Sequence, residues 1–146
     1  MYKRLCSVLS VILATLAFMA SRSDPANFIG GNPRIIKRVV LKNQNAAIPS
    51  TTLFTPSHDG IYRVSAYMAQ TKDQAGWVVS LAWSDDGGAE ALDGMLVSEG
   101  TLPPDAYETA VSTIEAVAGQ PVTFNVNPNG GDISTYSLYF VVEQLD

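Results

Sequence analysis

A long alternation of side chains along residues 61–69 is the feature that most restricts how this chain folds. From residue 62 to residue 68, every second residue is apolar, and the intervening positions are mostly polar. A period of two over this length is typical of a β-strand whose two faces meet different surroundings. The two faces are Tyr62, Val64, Ala66 and Met68 on one side, and Arg63, Ser65 and Tyr67 on the other.

Similar patterns, separated by turn sequences rich in Pro, Asp, Asn and Gly, recur along most of the chain. They predict about eight strands and no helix after residue 24. We therefore expect an all-β fold, an antiparallel β-sandwich of jelly-roll type, preceded by an N-terminal apolar helix. The predicted strands are 34–42, 51–55, 61–69, 76–84, 95–98, 107–117, 121–127 and 133–143, with loops at 85–94 and 128–132.

Residues 1–23 have the order of a secretory signal peptide, with a basic start, an apolar run and then small polar residues. The run, which contains the single cysteine, Cys6, is short for a spanning helix of about 20 residues. We expect cleavage; an uncleaved N-terminal anchor, the only form expected to touch a membrane, and an interface helix of an assembly subunit are the alternatives. Residues 24–33 are predicted to be a linker and 34–146 the β-sandwich domain. Such a protein is expected to be secreted, at the cell surface, in the periplasm, or in a virion or extracellular filament.

Charge is distributed unevenly along the chain. The formal net charge is −5, and the residues after Asn43 contain two cationic and thirteen anionic side chains. Such a surface repels phosphate, so we expect no nucleic-acid binding. The strand 34–42 carries four cations, which is typical of an edge strand protected against edge-to-edge pairing. A basic docking arm is the alternative. The four cations are Arg34, Lys37, Arg38 and Lys42.

The acidic segment 85–94 is the candidate metal site. Hard cations such as Ca²⁺ prefer several oxygen ligands, which carboxylates supply. The spacing does not match an EF-hand loop, and Asp-Asp-Gly-Gly is also a common hairpin sequence. We therefore expect a solvated turn, with a calcium site as the alternative and no other cofactor. The candidate ligands are Asp85, Asp86, Glu90 and Asp93.

The sequence shows no catalytic constellation. His58, the single histidine, lies in a predicted turn between Ser57 and Asp59, without a recognisable nucleophile motif. Glycoside hydrolysis needs two carboxylates across a cleft, and none of the acidic residues lies in a recognisable context. Trp77 and Trp83 share one face of a strand that is apolar on both sides, so we expect both in the core of a central strand. We therefore expect a protein that is not an enzyme.

Four residues around the turn resemble a sequence pattern of a known family. Phe54, Gly60, Tyr62 and Ser65 match the aromatic, the turn glycine and the strand entry of the globular head of complement component one q and of tumour-necrosis-factor-like jelly rolls. Segments 119–124 and 135–142 resemble the last two strands of these domains. The resemblance implies a jelly roll that forms compact homotrimers. Either Tyr136, Tyr139 and Phe140 or the small-residue strand near Ala110 would then lie at the subunit interface, unless these residues fill the core of the monomer.

Three classes of function compete on these grounds. The first is an exported, non-catalytic binding or assembly module, such as an adhesion head, a fibre tip or a decoration subunit. The second is a structural subunit of a filament or capsid that retains its N-terminal segment. The third is a carbohydrate-binding or carbohydrate-active jelly roll. We favour the first, as a homo-oligomer, because strands that are apolar on both faces need a covering layer. The family resemblance implies that this oligomer is a trimer.

Overall fold

The computed structural model describes residues 32–70, 75–98, 107–131 and 135–145. The predicted N-terminal helix, the cleavage region, Cys6 and most of the predicted linker lie outside these residues. The described ranges contain eight strands, and the connections that fall within these ranges are turns, bends and irregular segments. They are β1 (Arg34–Gln44), β2 (Ile48–Phe54), β3 (Gly60–Gln70), β4 (Ala75–Asp85), β5 (Gly88–Ser98), β6 (Tyr107–Ala116), β7 (Val122–Gly131) and β8 (Tyr136–Gln144).

The strands form two four-stranded antiparallel sheets. The first sheet has the order β1-β8-β3-β6, and the second has the order β2-β7-β4-β5. The pairs β1/β8, β2/β7, β3/β6 and β4/β5 are nested, as if one long hairpin had been wrapped into two layers. This nesting is the jelly-roll arrangement, and it confirms the predicted fold class.

The core lies between the sheets and is built by the alternation that the sequence shows. In β3, Tyr62, Val64, Ala66 and Met68 all point inward and are at most 4% exposed. Aromatic pairs then join the two layers. Trp77 of the second sheet lies 4.5 Å from Tyr136 of the first, and Phe124 lies 5.0 Å from Phe140, measured between ring centroids.

Strand positions follow the predicted burial. β1, with its four cations, is an edge strand of the first sheet, and β4, apolar on both faces, lies between β7 and β5. Trp77 is fully buried, whereas Trp83 is half-buried and packs against the core. Within the part of the chain that is described, no helix has the length and apolar character needed to cross a membrane.

Two predicted loops are wrong, because the strands extend further than turn residues suggest. The turn within segment 85–94 consists of residues 86 and 87 alone, and β5 begins at Gly88. The Asp85 carboxylate closes this turn by accepting hydrogen bonds from the N–H groups of Gly87 (2.7 Å) and Gly88 (3.1 Å). Gly88 has a φ of 128°, which a side chain would oppose. Segment 128–132 was predicted as a turn, but β7 continues to Gly131 with an irregular register opposite β4.

Candidate functional site

The exposed side of the first sheet is the candidate functional site. The alternation that buries Tyr62 and Val64 turns Tyr67 outward, and the antiparallel register places Tyr139 of β8 beside it. On the flanking strands, Val40 pairs with Tyr139, and Val111 pairs with Ser65. We call this surface the outer face. Its apolar and aromatic residues are Ile35, Val40, Tyr67, Tyr107, Val111, Tyr139 and Val141.

The outer face holds most of the large apolar side chains that are exposed among the described residues. Six large apolar or aromatic side chains are exposed there, and five of these six lie on the outer face. Val111 is 65% exposed, Tyr107 is 64% and Val40 is 54%. Single exposed apolar residues are normal, but a cluster on one face is typical of an interaction surface.

Three tyrosines form the centre of the outer face. Tyr67 stacks on Tyr107 with ring centroids 5.5 Å apart and an angle of 19° between the ring planes. Tyr139 meets Tyr67 edge-on at 5.8 Å and 65°. These geometries are favourable for aromatic pairs and hold the three side chains in place. The result is an aromatic platform contributed by β3, β6 and β8.

One ion pair lies on the same face. Arg63 Nε donates to Glu143 Oε2 at 2.7 Å, across the β3/β8 ladder. The hydrogen bond from Arg63 lowers the pKa of Glu143, and the bond to Glu143 raises the pKa of Arg63. The pair therefore adds no net charge to the outer face, which remains suited to contact with another apolar surface.

The structure separates the three residues predicted at a subunit interface. Tyr136 and Phe140 point inward and are at most 1% exposed, so within a single chain they present no surface to a partner. The Tyr136 hydroxyl donates to the Ala46 carbonyl at 3.0 Å, and burial raises the pKa of Tyr136 to about 12. Tyr139, one position out of phase, lies on the outer face. Ala110 is half-buried and packs against the core.

Sequence reasoning missed the two partners of Tyr139. Tyr67 was assigned to the outward side of β3, but nothing in a single strand shows which residue of another strand lies beside it. The relevant signal was the presence of an outward aromatic residue in each of three strands. Combining it with the register of β3, β6 and β8 would have identified Tyr67 and Tyr107.

The four candidate calcium ligands are not gathered together. Asp85 is engaged by the backbone of its own turn. Glu90 lies opposite Trp83 in the β4/β5 ladder, and Asp93 lies where the register of that ladder shifts. Among the described residues, which include all four, no group of three or more His, Cys, Asp or Glu side chains is placed to hold a metal ion.

The turn around His58 serves the fold. The His58 carbonyl accepts a hydrogen bond from the Tyr62 hydroxyl at 2.9 Å, and Asp59 accepts one from the N–H of Ala118 at 2.7 Å. The exposed His58 ring contacts Ser57 Oγ at 3.2 Å, and the described residues give it no ion pair with a carboxylate. Nucleophilic catalysis uses a nucleophile, a base and a group that orients the base. The contact between His58 and Ser57 does not supply all three.

A shallow groove lies beside this turn. It has a volume of about 290 Å³ and opens where the start of β1 meets the end of β2. Two cations, two aromatic residues and a hydroxyl are among its lining: Arg34, Lys37, Phe54, Tyr62 and Ser57. The groove has no acidic lining residue, so its charge favours an anionic group.

Comparison with known proteins establishes the fold. No family model and no curated protein matches the sequence. The globular domain of the zebrafish complement 1qA protein is 10% identical over 80% of this chain and 98% of that one, with a TM-score of 0.54. Eiger TNF from S. frugiperda is 17% identical over 79% and 89%, with a TM-score of 0.40. The capsid of Helicobacter pylori bacteriophage KHP30 is 15% identical over 80% and 90%, with a TM-score of 0.47.

The similarity to the complement domain confirms, at the level of fold, the resemblance first seen at Phe54, Gly60, Tyr62 and Ser65. Two of these residues meet in the structure, where the rings of Phe54 and Tyr62 lie 5.2 Å apart. They belong to the core, so they explain a shared fold and carry no information about a ligand.

Proposed function

We propose that this protein is an exported, non-catalytic assembly module that associates with further copies of itself through the outer face. The observation that carries the proposal is the concentration of exposed apolar side chains on one side of one sheet. Water leaves such a surface when a second apolar surface covers it, and the free energy gained scales with the area buried. The ion pair Arg63–Glu143 is already satisfied within the chain, so covering these two residues buries no unpaired charge.

We propose export because residues 1–23 have the order of a secretory signal peptide. We propose a non-catalytic role because no polar side chains converge on a site among the described residues. Adhesion heads, fibre tips and decoration subunits are proteins of this kind. A filament or capsid subunit that retains its N-terminal segment is the close alternative. N-terminal sequencing of the protein released by its natural host distinguishes the two, because only the alternative keeps residues 1–23.

The test of self-association compares two matched variants by sedimentation over a wide concentration range. Val111→Asn changes the outer face, and Val97→Asn changes the opposite side of the sandwich, on β5, where Val97 is 40% exposed. Losing a buried valine side chain costs about 1.5 kcal/mol, or roughly tenfold in association. We expect that loss for Val111→Asn and no change for Val97→Asn. A wild-type protein that stays monomeric throughout, or equal effects of the two variants, would refute the proposal.

Glycan binding on the same face is the second candidate. The stacked rings of Tyr67 and Tyr107 present a flat aromatic surface that suits the apolar face of a sugar ring. Tyr107 is 64% exposed and accessible, whereas Trp77 is buried. Titration of the protein with oligosaccharides, followed by tyrosine fluorescence, tests this function. Saturable binding that disappears in Tyr107→Ala would support it, and the absence of binding would exclude the glycans tested.

A further inference from the structure

The charged residues of the strands are separated by sign between the two sides of the sandwich. On one side, the edge strand β1 carries four cations and no anion, and the edge strand β2 carries no charged residue; on the other side, the edge strands β5 and β6 carry only anions. We call these the cationic side and the anionic side. The cationic side contains Arg34, Lys37, Arg38 and Lys42, and the anionic side contains Glu90, Asp93, Glu108 and Glu115.

The central strands lack this imbalance. In β3 and β8 the charged residues are Arg63 and Glu143, which pair with each other. β7 contains no charged residue, and Asp85 of β4 closes the turn to β5. The described strands therefore concentrate uncompensated charge at their free edges, with opposite signs on opposite sides.

The most exposed apolar residues of the outer face lie on the same edge strands. Val40 and Ile35 are on β1, and Val111 and Tyr107 are on β6. An edge strand also carries backbone N–H and C=O groups without a neighbouring strand. Each edge of the first sheet therefore combines apolar surface with charge of a single sign, and the two edges are complementary to each other.

We propose that copies of this chain associate head to tail, with the β1 edge of one copy against the β6 edge of the next. The inference rests on the proposed self-association and narrows the contact to the outer-face residues that lie along the two edge strands. Two β1 edges or two β6 edges would bring like charges together, which disfavours an isologous dimer at either edge. In a head-to-tail contact, the cations flank the neighbour's carboxylates, and Val40 approaches Val111. The groove lined by Arg34 and Lys37 lies at the cationic end of this contact.

A heterologous contact of this type builds a closed ring when the rotation between copies closes, and a filament when it does not. Opposite charges across the contact also make association dependent on salt, because ions screen charges separated by more than about 8 Å at physiological ionic strength. We therefore expect association of the wild-type protein to weaken between about 50 mM and 500 mM NaCl.

Charge reversal provides the decisive test. Lys37→Glu/Arg38→Glu leaves β1 with two cations and two carboxylates and so removes its net charge, whereas Glu108→Lys/Glu115→Lys makes both edges cationic. Each double variant is expected to associate at least about tenfold more weakly than wild type in sedimentation experiments at low salt. The quadruple variant keeps the net charge of −5 but opposes a neutral β1 edge to a cationic β6 edge, so we expect it to stay as weak as the double variants. It is also the control for effects of net charge.

A mixture of the two double variants provides a second readout, because the first keeps the anionic β6 edge and the second keeps the cationic β1 edge. We expect association in the mixture and little in either variant alone. Thermal melts identify a variant that fails to fold, and the salt series on the wild-type protein tests the proposal without any substitution. Association that is insensitive to salt and to both double substitutions, or a quadruple variant that associates as tightly as wild type, overturns the head-to-tail contact while leaving self-association intact. A wild-type monomer at every concentration overturns both.

Discussion

Replacing Ser98 with alanine is expected to destabilise the fold far more than the loss of one small polar group suggests. Ser98 ends β5 and is 1% exposed. Its hydroxyl accepts hydrogen bonds from the Trp77 N–H at 2.7 Å and from the side-chain amide of Gln70, and donates to the Trp77 carbonyl at 3.2 Å. One buried oxygen therefore joins the ends of β3, β4 and β5.

The magnitude follows from these three bonds. A typical hydrogen bond contributes about 1 kcal/mol net, and a buried donor left without its partner costs about 1–3 kcal/mol. Replacement with alanine removes the hydroxyl that accepts from the Trp77 N–H and from the side-chain amide of Gln70, a residue that is 7% exposed. We expect a loss of about 3 kcal/mol, a large share of the roughly 5–15 kcal/mol that stabilises a domain. The corresponding fall in Tm is about 10 °C.

Urea unfolding followed by tryptophan fluorescence measures this loss, because Trp77 lies directly against the substituted side chain. Ser80→Ala is the matched control. Ser80 is also buried, at 6% exposed, and it accepts a single, longer hydrogen bond of 3.2 Å from the Gly94 N–H. We expect the control to lose about 1 kcal/mol. If Ser98→Ala is no more destabilising than Ser80→Ala, the three-way junction does not have the energetic role assigned to it.

Three further predictions concern backbone packing and pH. Gly76→Ala should destabilise the protein by several kcal/mol in the same urea assay, because the new Cβ would lie 2.7 Å from the Ser98 carbonyl oxygen and 2.9 Å from that of Asn129; wild-type stability would contradict this. Burial raises the Tyr136 pKa to about 12, so its contribution is complete below pH 10 and is lost as the pH rises to 12. Alkaline denaturation should therefore show a loss of about 2–3 kcal/mol over that interval, and Tyr136→Phe should lack it. The hydrogen bond from Arg63 lowers the Glu143 pKa, so the pair stabilises the fold at neutral pH and stops doing so as the pH falls through that lowered value. Glu143→Gln should flatten this acidic part of the stability profile, and an unchanged profile would show that the pair contributes nothing measurable.

Most of the fold could be predicted from the sequence, because the side-chain pattern of each strand alone indicates which of its residues are buried. The inward set of β3, the edge position of β1 and the central position of β4 all followed from side-chain period and charge. The boundaries of β5 and β7 did not follow, because glycine and asparagine favour turns locally, whereas pairing with β4 keeps both strands extended. Local propensity was overridden there by tertiary hydrogen bonding.

The candidate site was less predictable, because it depends on how strands align. The interface prediction grouped Tyr136, Tyr139 and Phe140 of β8, yet the alternation places two in the core and one outside. The platform exists only because β3 and β6 pair in a register that brings Tyr107 beside Tyr67. In the same way, the carboxylates of segment 85–94 are close in sequence but are divided by a two-residue turn and an irregular ladder.

Inward and outward residues of the sheets therefore give different information about this protein: the inward residues concern the fold, and the outward residues concern its surface. The similarity to the complement domain, at 10% identity, concerns a shared layout of strands that inward residues are sufficient to specify. Outward positions of the first sheet are free to be polar, as Thr109 and Thr113 of β6 show. Tyr107 and Val111 are exposed on the same strand, where threonine would serve the sheet equally well and would keep the surface soluble. Since the fold does not require these exposed apolar side chains, their presence beside an edge of single-sign charge is best explained by a contact made with another molecule.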